Sequence, residues 1–148
     1  MVVVEQRSND ASINYFISGD NPSGTNTLLM LGYKFNNTIT FGQFSNNYQF
    51  TVSSFSSPKP KIHIFRFSSS LGKNYYLNGI AQTPSSVAGA SPTQGLTSYT
   101  NAQIGDYLGV NYYAGYIGEI IIFNKYINDT ERQDIESYLS KKWSINLK

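Results

Sequence analysis

The sequence predicts an all-β domain that ends in one amphipathic α-helix. Aromatic residues make up 15% of the 148 residues, with 12 Tyr and 9 Phe, and such side chains suit the half-buried faces of a β-sheet. Asn, Ser, Thr and Gly fill the segments between them, which indicates many turns. The spacing of apolar residues changes from period 2 to a helical period only near the end of the chain. At this length, residues 1–148 are most economically one domain.

Short runs of β-branched and aromatic residues, bounded by turn residues, predict the strands. In chain order they are MVVVEQR, INYFIS, TLLMLGYKF, TITFGQF, YQFTVSSF, IHIFRFSSS, NYYLNGIAQ, AQIGDYL and GYIGEIIIFN. Asn36-Asn37 is predicted to form one hairpin turn. Asn78-Gly79 is the best hairpin signal in the chain, because Gly and Asn tolerate the positive φ that a two-residue turn needs. The Ser-, Pro- and Gly-rich segment from Thr83 to Tyr99 is predicted to be a long loop that holds at most a short strand.

Two of these strands are apolar on both faces and are therefore predicted to be covered on both sides. In the first, Ile62, Ile64 and Arg66 alternate with His63, Phe65 and Phe67. This pattern indicates a central strand with Arg66 near a rim. In the second, the alternation places Tyr116, Gly118, Ile120 and Ile122 on one face and Ile117, Glu119, Ile121 and Phe123 on the other. We expect Glu119 to be a structural carboxylate that accepts hydrogen bonds from backbone donors or a Tyr hydroxyl.

The helix is predicted from its capping residues and from its apolar spacing. Asn128 has the features of an N-cap, and Glu131, three residues later, completes a capping box. Acidic residues stand near the start of the helix and Lys141 and Lys142 near its end, as the helix dipole favours. The buried face is predicted to carry Ile135, Tyr138, Leu139 and Lys142, with Trp143 beside them.

The stretch AGYIGEIIIFNKYINDTERQDIESYL resembles the end of laminin G-like, concanavalin A-like domains. Those domains end in a Gly-x-Ile-(Asp/Glu)-Glu-(Val/Ile)-x-Ile-(Tyr/Phe)-Asn run, followed by an Asp-x-Glu turn into a short helix. The matching residues are Gly115, Ile117, Glu119, Ile120, Ile122, Phe123, Asn124, Asn128, Asp129 and Glu131. Upstream, His63, Tyr76, Asn78 and Gly79 match a hairpin of the same family. The similarity extends from Lys61 to Ile145.

The resemblance implies a two-sheet antiparallel β-sandwich, a jelly roll, with the C-terminal amphipathic helix docked on it. The ending IESYLSKKWSI is similar to a subgroup found in bacterial surface proteins and in structural proteins of phages and large viruses. Family members usually carry a further strand region before the segment that resembles VVVEQRSN. The chain is therefore expected to be a shortened version or part of a larger assembly. A partner or a second copy would then cover an open sheet edge.

Composition excludes several classes of protein. The chain has no Cys, so disulfides and thiolate metal sites are ruled out. A net charge of +2 with 14% charged residues is not the basic footprint of a nucleic-acid-binding protein. The longest apolar runs are too short to insert across a membrane. The first residues lack the basic and apolar regions of a signal peptide.

Catalysis is not expected from these residues. Glycoside hydrolases of this architecture need two facing carboxylates, about 5–5.5 Å apart in retaining enzymes. Among the nine acidic residues only those of the helix are closely spaced, and Glu119 is alone on its strand. His63 is the only His, and no nucleophile pattern accompanies it. His63 is therefore predicted to be a core residue of a strand. A degenerate glycoside hydrolase is the enzymatic alternative.

The densest candidate binding site is the segment GDYLGVNYYAGY. Aromatic faces and nearby amide or carboxylate groups are what a glycan site requires. The candidate glycan-binding residues are Asp106, Tyr107, Asn111, Tyr112 and Tyr113. The alternative is that Tyr113 and Tyr116 only pack a hairpin. Calcium is a possible cofactor, because Asp20 and Asp106 could act as loop ligands. Asp residues in loops also form turns, which is the alternative role of both.

These observations favour a non-catalytic recognition or assembly module that binds glycans or adheres at a virion or extracellular surface. A purely structural capsid or fibre component that contacts protein neighbours is the first alternative. A degenerate glycoside hydrolase is the second. The expected partners are glycans or surface and virion proteins, including further copies of the chain, but not nucleic acid.

Overall fold

The computed structural model describes residues 1–9, 13–19, 24–53, 58–89, 93–95 and 101–148. Within these ranges the chain forms thirteen strands and one helix. They are β1 (Val2–Arg7), β2 (Asn14–Gly19), β3 (Leu29–Phe35), β4 (Thr38–Gln43), β5 (Asn46–Thr51), β6 (Lys61–Ser68), β7 (Gly72–Leu77), β8 (Ile80–Gln82), β9 (Ser86–Ala88), β10 (Ala102–Ile104), β11 (Asp106–Tyr107), β12 (Asn111–Tyr112), β13 (Gly115–Ile121) and α1 (Asp129–Trp143).

Two large antiparallel sheets form a β-sandwich. One sheet has the order β13-β1-β6-β7-β8 and the other β10-β2-β3-β4-β5-β9, while β11 and β12 form a separate hairpin. One core of buried side chains fills the space between the sheets. It comprises Val3, Phe16, Leu31, Tyr33, Ile39, Phe41, Phe50, Val52, Phe65 and Tyr75. The architecture confirms the predicted two-sheet antiparallel β-sandwich with one C-terminal helix.

The turns form where the sequence predicts them. Asn78 and Gly79 have φ values of 47° and 87° and close the β7–β8 hairpin, in which Leu77 pairs with Ile80. Asn36-Asn37 joins β3 to β4. The predicted Thr83–Tyr99 loop contains the short strand β9, which pairs with β5. The rest of that loop lies partly outside the described residues.

Strand β6 is central and is covered on both faces, as its alternation predicts. Phe65 belongs to the core between the sheets, whereas Ile62 and Ile64 pack beneath the helix with Leu139. Arg66 reaches the start of the helix, where its guanidinium donates to the Ile127 carbonyl at 3.2 Å. The helix therefore docks on the outer face of the five-stranded sheet.

Asn128 caps the helix as predicted, but the buried stripe of α1 differs from the predicted one. The Asn128 side chain accepts from the Glu131 amide, and the Glu131 side chain accepts from the Asn128 amide. Tyr138 is exposed, whereas Arg132 and Glu136 are buried together with Leu139. Arg132 and Glu136 form an ion pair. Because the two charges neutralise each other under the helix, the buried stripe can contain residues whose charge would otherwise place them in solvent.

The alternation predicted for β13 is interrupted by a β-bulge. Val4 pairs with Glu119 but Glu5 pairs with Ile117, so Gly118 is the extra residue. As a result Ile117 and Ile120 both pack toward the core between the sheets. Glu119 faces the helix and accepts from Trp143 Nε1 at 3.0 Å and Lys142 Nζ at 2.9 Å. The backbone or Tyr donors expected for Glu119 are therefore replaced by two side chains of α1.

Gly118 is predicted to tolerate no side chain while Trp143 is in place. A Cβ atom at Gly118 would lie 2.8 Å from Trp143 Cη2 and 3.1 Å from two further ring carbons. Gly118→Ala should lower the free energy of unfolding, measured with urea, by about 1–3 kcal/mol because the site is overpacked. The control is the same substitution in a Trp143→Ala background, where most of this cost should vanish. An equal cost in both backgrounds would contradict the contact.

Candidate functional site

The β11–β12 hairpin contains all five candidate glycan-binding residues. The predicted strand AQIGDYL is divided at Gly105, whose φ of 65° separates β10 from β11. The hairpin is fixed to β2, because the Gly105 amide donates to the Phe16 carbonyl at 3.0 Å. In addition, Ser18 Oγ donates to the Asp106 carbonyl at 2.7 Å. The hairpin is therefore a part of the sandwich and not a free loop.

Two of the candidate tyrosines anchor the hairpin. The Tyr107 ring packs edge-on against Tyr15, with centroids 5.1 Å apart. The Tyr113 ring contacts Phe16 at 5.6 Å, and its hydroxyl donates to the carboxylate of Glu5. Both rings pack against other aromatic side chains. For Tyr113 this agrees with the alternative prediction that the residue packs a hairpin. Tyr116, the other residue of that alternative, is 72% exposed on β13.

The opposite face of the hairpin presents an aromatic ring beside a carboxylate. Asp106 pairs directly with Tyr112, so the two side chains lie on one face. Tyr112 is 69% exposed, and its hydroxyl donates to the Gly109 carbonyl at 2.9 Å, which holds the ring across the turn. Asn111 pairs with Tyr107 and is half-buried. Of the five residues, Tyr112 and Asp106 thus share the outward face.

Asp106 has a turn-forming role in this structure. Its Oδ1 accepts from the Gly109 amide at 3.1 Å, an Asp-based turn of the kind that stabilises short hairpins. Among the described residues no group of three or more His, Cys, Asp or Glu side chains is arranged to hold a metal ion. Asp20, the other calcium candidate, lies outside the described residues.

A buried carboxylate between the two sheets was not singled out by the sequence analysis. Glu5 on β1 is fully buried. Its Oε1 accepts from His63 Nε2 at 2.9 Å and from the Tyr33 hydroxyl at 3.1 Å, and its Oε2 accepts from Tyr113. Lys61 Nζ lies 3.9 Å from Oε1 and donates to the Tyr33 hydroxyl at 3.1 Å. We call these five residues, with Tyr75, the Glu5 network.

His63 is a neutral member of this network. An ionised carboxylate can only accept, so the proton of the ring lies on Nε2. The other nitrogen, Nδ1, then accepts from the Tyr75 hydroxyl at 2.9 Å. Burial of the ring lowers the pKa of His63 below 6.5, although Glu5 acts in the opposite direction. The prediction that His63 is a core strand residue is confirmed.

The pKa values of the other members follow from burial and from the charge on Glu5. Burial alone would raise the pKa of Glu5, but the hydrogen bond from His63, with Lys61 and Tyr113, holds it below its usual value of 4.5. Burial, together with nearby Glu5, raises the pKa of Tyr33, Tyr75 and Tyr113. At neutral pH the carboxylate is therefore ionised and the phenols remain protonated donors.

Glu5, His63 and Tyr75 are connected like the acid, base and hydroxyl of a catalytic triad. All three side chains are fully buried, and the raised pKa of Tyr75 opposes formation of a phenolate nucleophile. The arrangement can hold the two sheets together, but it presents no reacting atom to a ligand in solvent. One signal in the sequence could have revealed the buried Glu5. Strand alternation places this charged residue on the same face of β1 as Val3, and Val3 lies in the core.

The Glu5 network predicts that the fold loses stability in two steps on acidification. The unfolded chain protonates His63 below about pH 6.5, whereas the folded ring resists protonation, so the free energy of unfolding should fall as the pH drops below that value. A second loss should begin near pH 4.5, because the pKa of Glu5 is lower in the folded state than in the unfolded chain. Urea unfolding across this pH range measures both steps.

His63→Gln is the matched variant, because it keeps an amide near Glu5 and removes the imidazole. It should remove the contribution of His63 to the upper step and retain the lower step. The amino group of Met1, whose pKa burial lowers to about 6, titrates at neighbouring pH and is present in both proteins. An unchanged upper step in His63→Gln would contradict the assignment.

Comparisons with known proteins supply no relative from which a role could be transferred. Neither a scan against protein-family models nor a search of curated proteins finds a match. No helix in the described ranges is both long and apolar enough to span a bilayer.

Proposed function

We propose that this chain is a non-catalytic recognition module of the concanavalin A-like type, which binds a glycan on the outer face of the β11–β12 hairpin. The contacts are made by the Tyr112 ring, which stacks on a sugar face, and by the Asp106 carboxylate, which accepts from sugar hydroxyls. Asn111, which pairs with Tyr107, lies on the other face of the hairpin. Tyr107 and Tyr113 hold the hairpin in place from behind.

The observation that carries this proposal is the pairing of Asp106 with Tyr112 on one exposed face. Sugar sites combine an apolar platform with a few fixed polar groups. Here the platform is held by the hydrogen bond from Tyr112 to Gly109, and Asp106 is held by the Gly109 amide. Because both side chains are fixed to the same turn, little conformational entropy would be lost when a ligand binds.

The state of two strand carboxylates, Glu5 and Glu119, supports a binding role and not a hydrolytic one. Glu119 on β13 accepts from Lys142 and Trp143. These hydrogen bonds, with that of Lys142 the larger influence, lower the pKa of Glu119. A glycosidase acid needs a raised pKa so that it is protonated at the working pH. Glu5 is ionised but sealed within the core.

The proposed setting is a virion or an extracellular surface, where the module would act in adhesion or assembly. The sheet edges β8, β9, β10 and β13 provide surfaces for neighbouring proteins. The exposed side chains of Val87 on β9 and Ile104 on β10 favour a structural component as the second candidate. The same binding experiment can distinguish the two candidates.

Tyr112→Ala is predicted to abolish glycan binding without loss of stability. Removing an aromatic anchor from a binding site costs about 2 kcal/mol or more, which is about 30-fold in affinity. A glycan array identifies a ligand for the wild-type protein, and calorimetry then compares the variants. Tyr116→Ala is the control, because Tyr116 is as exposed as Tyr112 but lies on β13. Repeating the assay with a chelator tests whether calcium contributes.

Failure of the wild-type protein to bind any glycan, with binding retained to virion or surface proteins, would favour the structural candidate. An equal loss of affinity in Tyr112→Ala and Tyr116→Ala would contradict the placement of the site. Tyr113→Ala is unsuitable as a test, because Tyr113 belongs to the Glu5 network.

The chain is predicted to show no turnover of chromogenic glycosides. The reason is that hydrogen bonds from Lys142 and Trp143 favour the ionised form of Glu119. In addition, β13 carries no second carboxylate. Release of the chromophore is compared between the wild-type protein and Glu119→Gln. Turnover by the wild-type protein that disappears in Glu119→Gln would overturn the non-catalytic proposal.

A further inference from the structure

A groove of about 740 Å³ lies at one end of the sandwich, away from the β11–β12 hairpin. It is formed by residues 51–53 at the end of β5, residues 59–61 at the start of β6, the β7–β8 turn and the segment that follows α1. Hydrogen bonds tie these walls together. The Ile62 amide donates to Asn78 Oδ1 at 2.8 Å, and the Lys148 amide donates to the Asn78 carbonyl at 3.1 Å. The groove is therefore preformed.

The charged side chains that line the groove are all cationic. Three lysines, Lys59, Lys61 and Lys148, line it, and no acidic side chain is among its described lining residues. Lys61 turns inward to Glu5 and Tyr33, so its charge is partly neutralised. Lys59 and Lys148 make no ion pair with any described residue. Since the whole chain carries a net charge of only +2, this local concentration of cations favours an anionic ligand.

The rest of the lining indicates what kind of anion fits. Pro60, Leu77 and Ile80 provide apolar wall, and Gln82 and Asn146 provide amides that can both donate and accept. No aromatic ring is among the described lining residues, so the stacking platform typical of sugar sites is missing. Apolar contacts combined with cations and amides suit a peptide, whose backbone needs hydrogen bonds and whose side chains can alternate in character.

We infer that this groove binds an extended peptide segment that carries both acidic and apolar side chains. The acidic side chains pair with Lys59 and Lys148, the apolar ones pack on Pro60, Leu77 and Ile80, and Gln82 and Asn146 hydrogen-bond the peptide backbone. Strand β8 is an edge strand, so the groove runs beside a surface where an extended segment can lie. This site is independent of the glycan site and would give the module a protein partner.

The test uses a fluorescein-labelled peptide of about ten residues in which Glu alternates with Val, because alternation places the two side-chain types on opposite sides of an extended chain. Fluorescence anisotropy with the full chain should show saturable binding that weakens as NaCl rises from about 50 mM to about 500 mM. A Lys–Val peptide of equal length should not bind. Polygalacturonate serves as the competing acidic carbohydrate.

Lys59→Glu with Lys148→Glu should weaken Glu–Val binding by about tenfold or more. The control variant is Lys34→Glu with Lys141→Glu, which changes the net charge equally at sites outside the groove and should bind within about twofold of wild type. For the wild-type protein, ¹⁵N spectra should show peptide-induced shifts at Asn78, Gln82 and Ser144. Because these spectra are recorded on the wild-type protein, the result does not depend on whether the variants fold.

Three results would overturn the inference. The first is the absence of saturable binding of the Glu–Val peptide to the wild-type protein. The second is an equal loss in both double variants, which would mark a response to net charge alone. The third is displacement of the peptide by polygalacturonate with tighter binding of the carbohydrate at the same residues. Loss of glycan binding in Tyr112→Ala leaves this inference unaffected.

Discussion

One ionised carboxylate enclosed between two sheets is the constraint on which this structure depends. A buried charge without partners destabilises a fold by several kcal/mol, so Glu5 requires donors at fixed positions. They come from β3, from β6 and from the segment after β12, at separations in sequence of up to 108 residues. The sheets and the hairpin must therefore assemble together for the charge to be satisfied. His63 remains neutral, so its Nε2–H donates to Glu5 and its Nδ1 accepts from the Tyr75 hydroxyl.

The proposed binding face depends on this interior. Tyr113 donates to Glu5 and Tyr107 packs on Tyr15, so the hairpin is fixed from behind at two points. The outward residues, Tyr112 and Asp106, are then presented by a rigid support, which favours a precise binding geometry. The helix acts at a different place: it covers the outer face of the five-stranded sheet and engages Glu119. The residues that stabilise the fold are thus not those that contact the proposed glycan. The proposed peptide groove lies between elements that backbone hydrogen bonds hold in place.

Local patterns in the sequence were sufficient for the longer strands, the Asn turns and the helix cap, because each depends on residues a few positions apart. The Asn78-Gly79 turn and the Asn128 capping box belong to this class. Three features required contacts between distant residues. The bulge at Gly118 accommodates Trp143, the buried stripe of α1 includes the Arg132–Glu136 pair, and Glu5 meets partners from several strands. For the candidate site, the density of Tyr and Asn residues was enough to locate the hairpin. Only the register between β11 and β12 shows that Tyr112 lies on the outward face and Tyr107 on the inward face.

The most direct test of the central claim is a double-mutant cycle between Glu5→Gln and Tyr113→Phe, measured as free energies of unfolding. Tyr113→Phe keeps the ring against Phe16 and removes only the hydroxyl that reaches Glu5. If the buried carboxylate couples the hairpin to the sheets, the two substitutions will be non-additive, with an interaction energy of about 1–3 kcal/mol. Additivity to within about 0.5 kcal/mol would contradict the claim that Glu5 holds the hairpin in place.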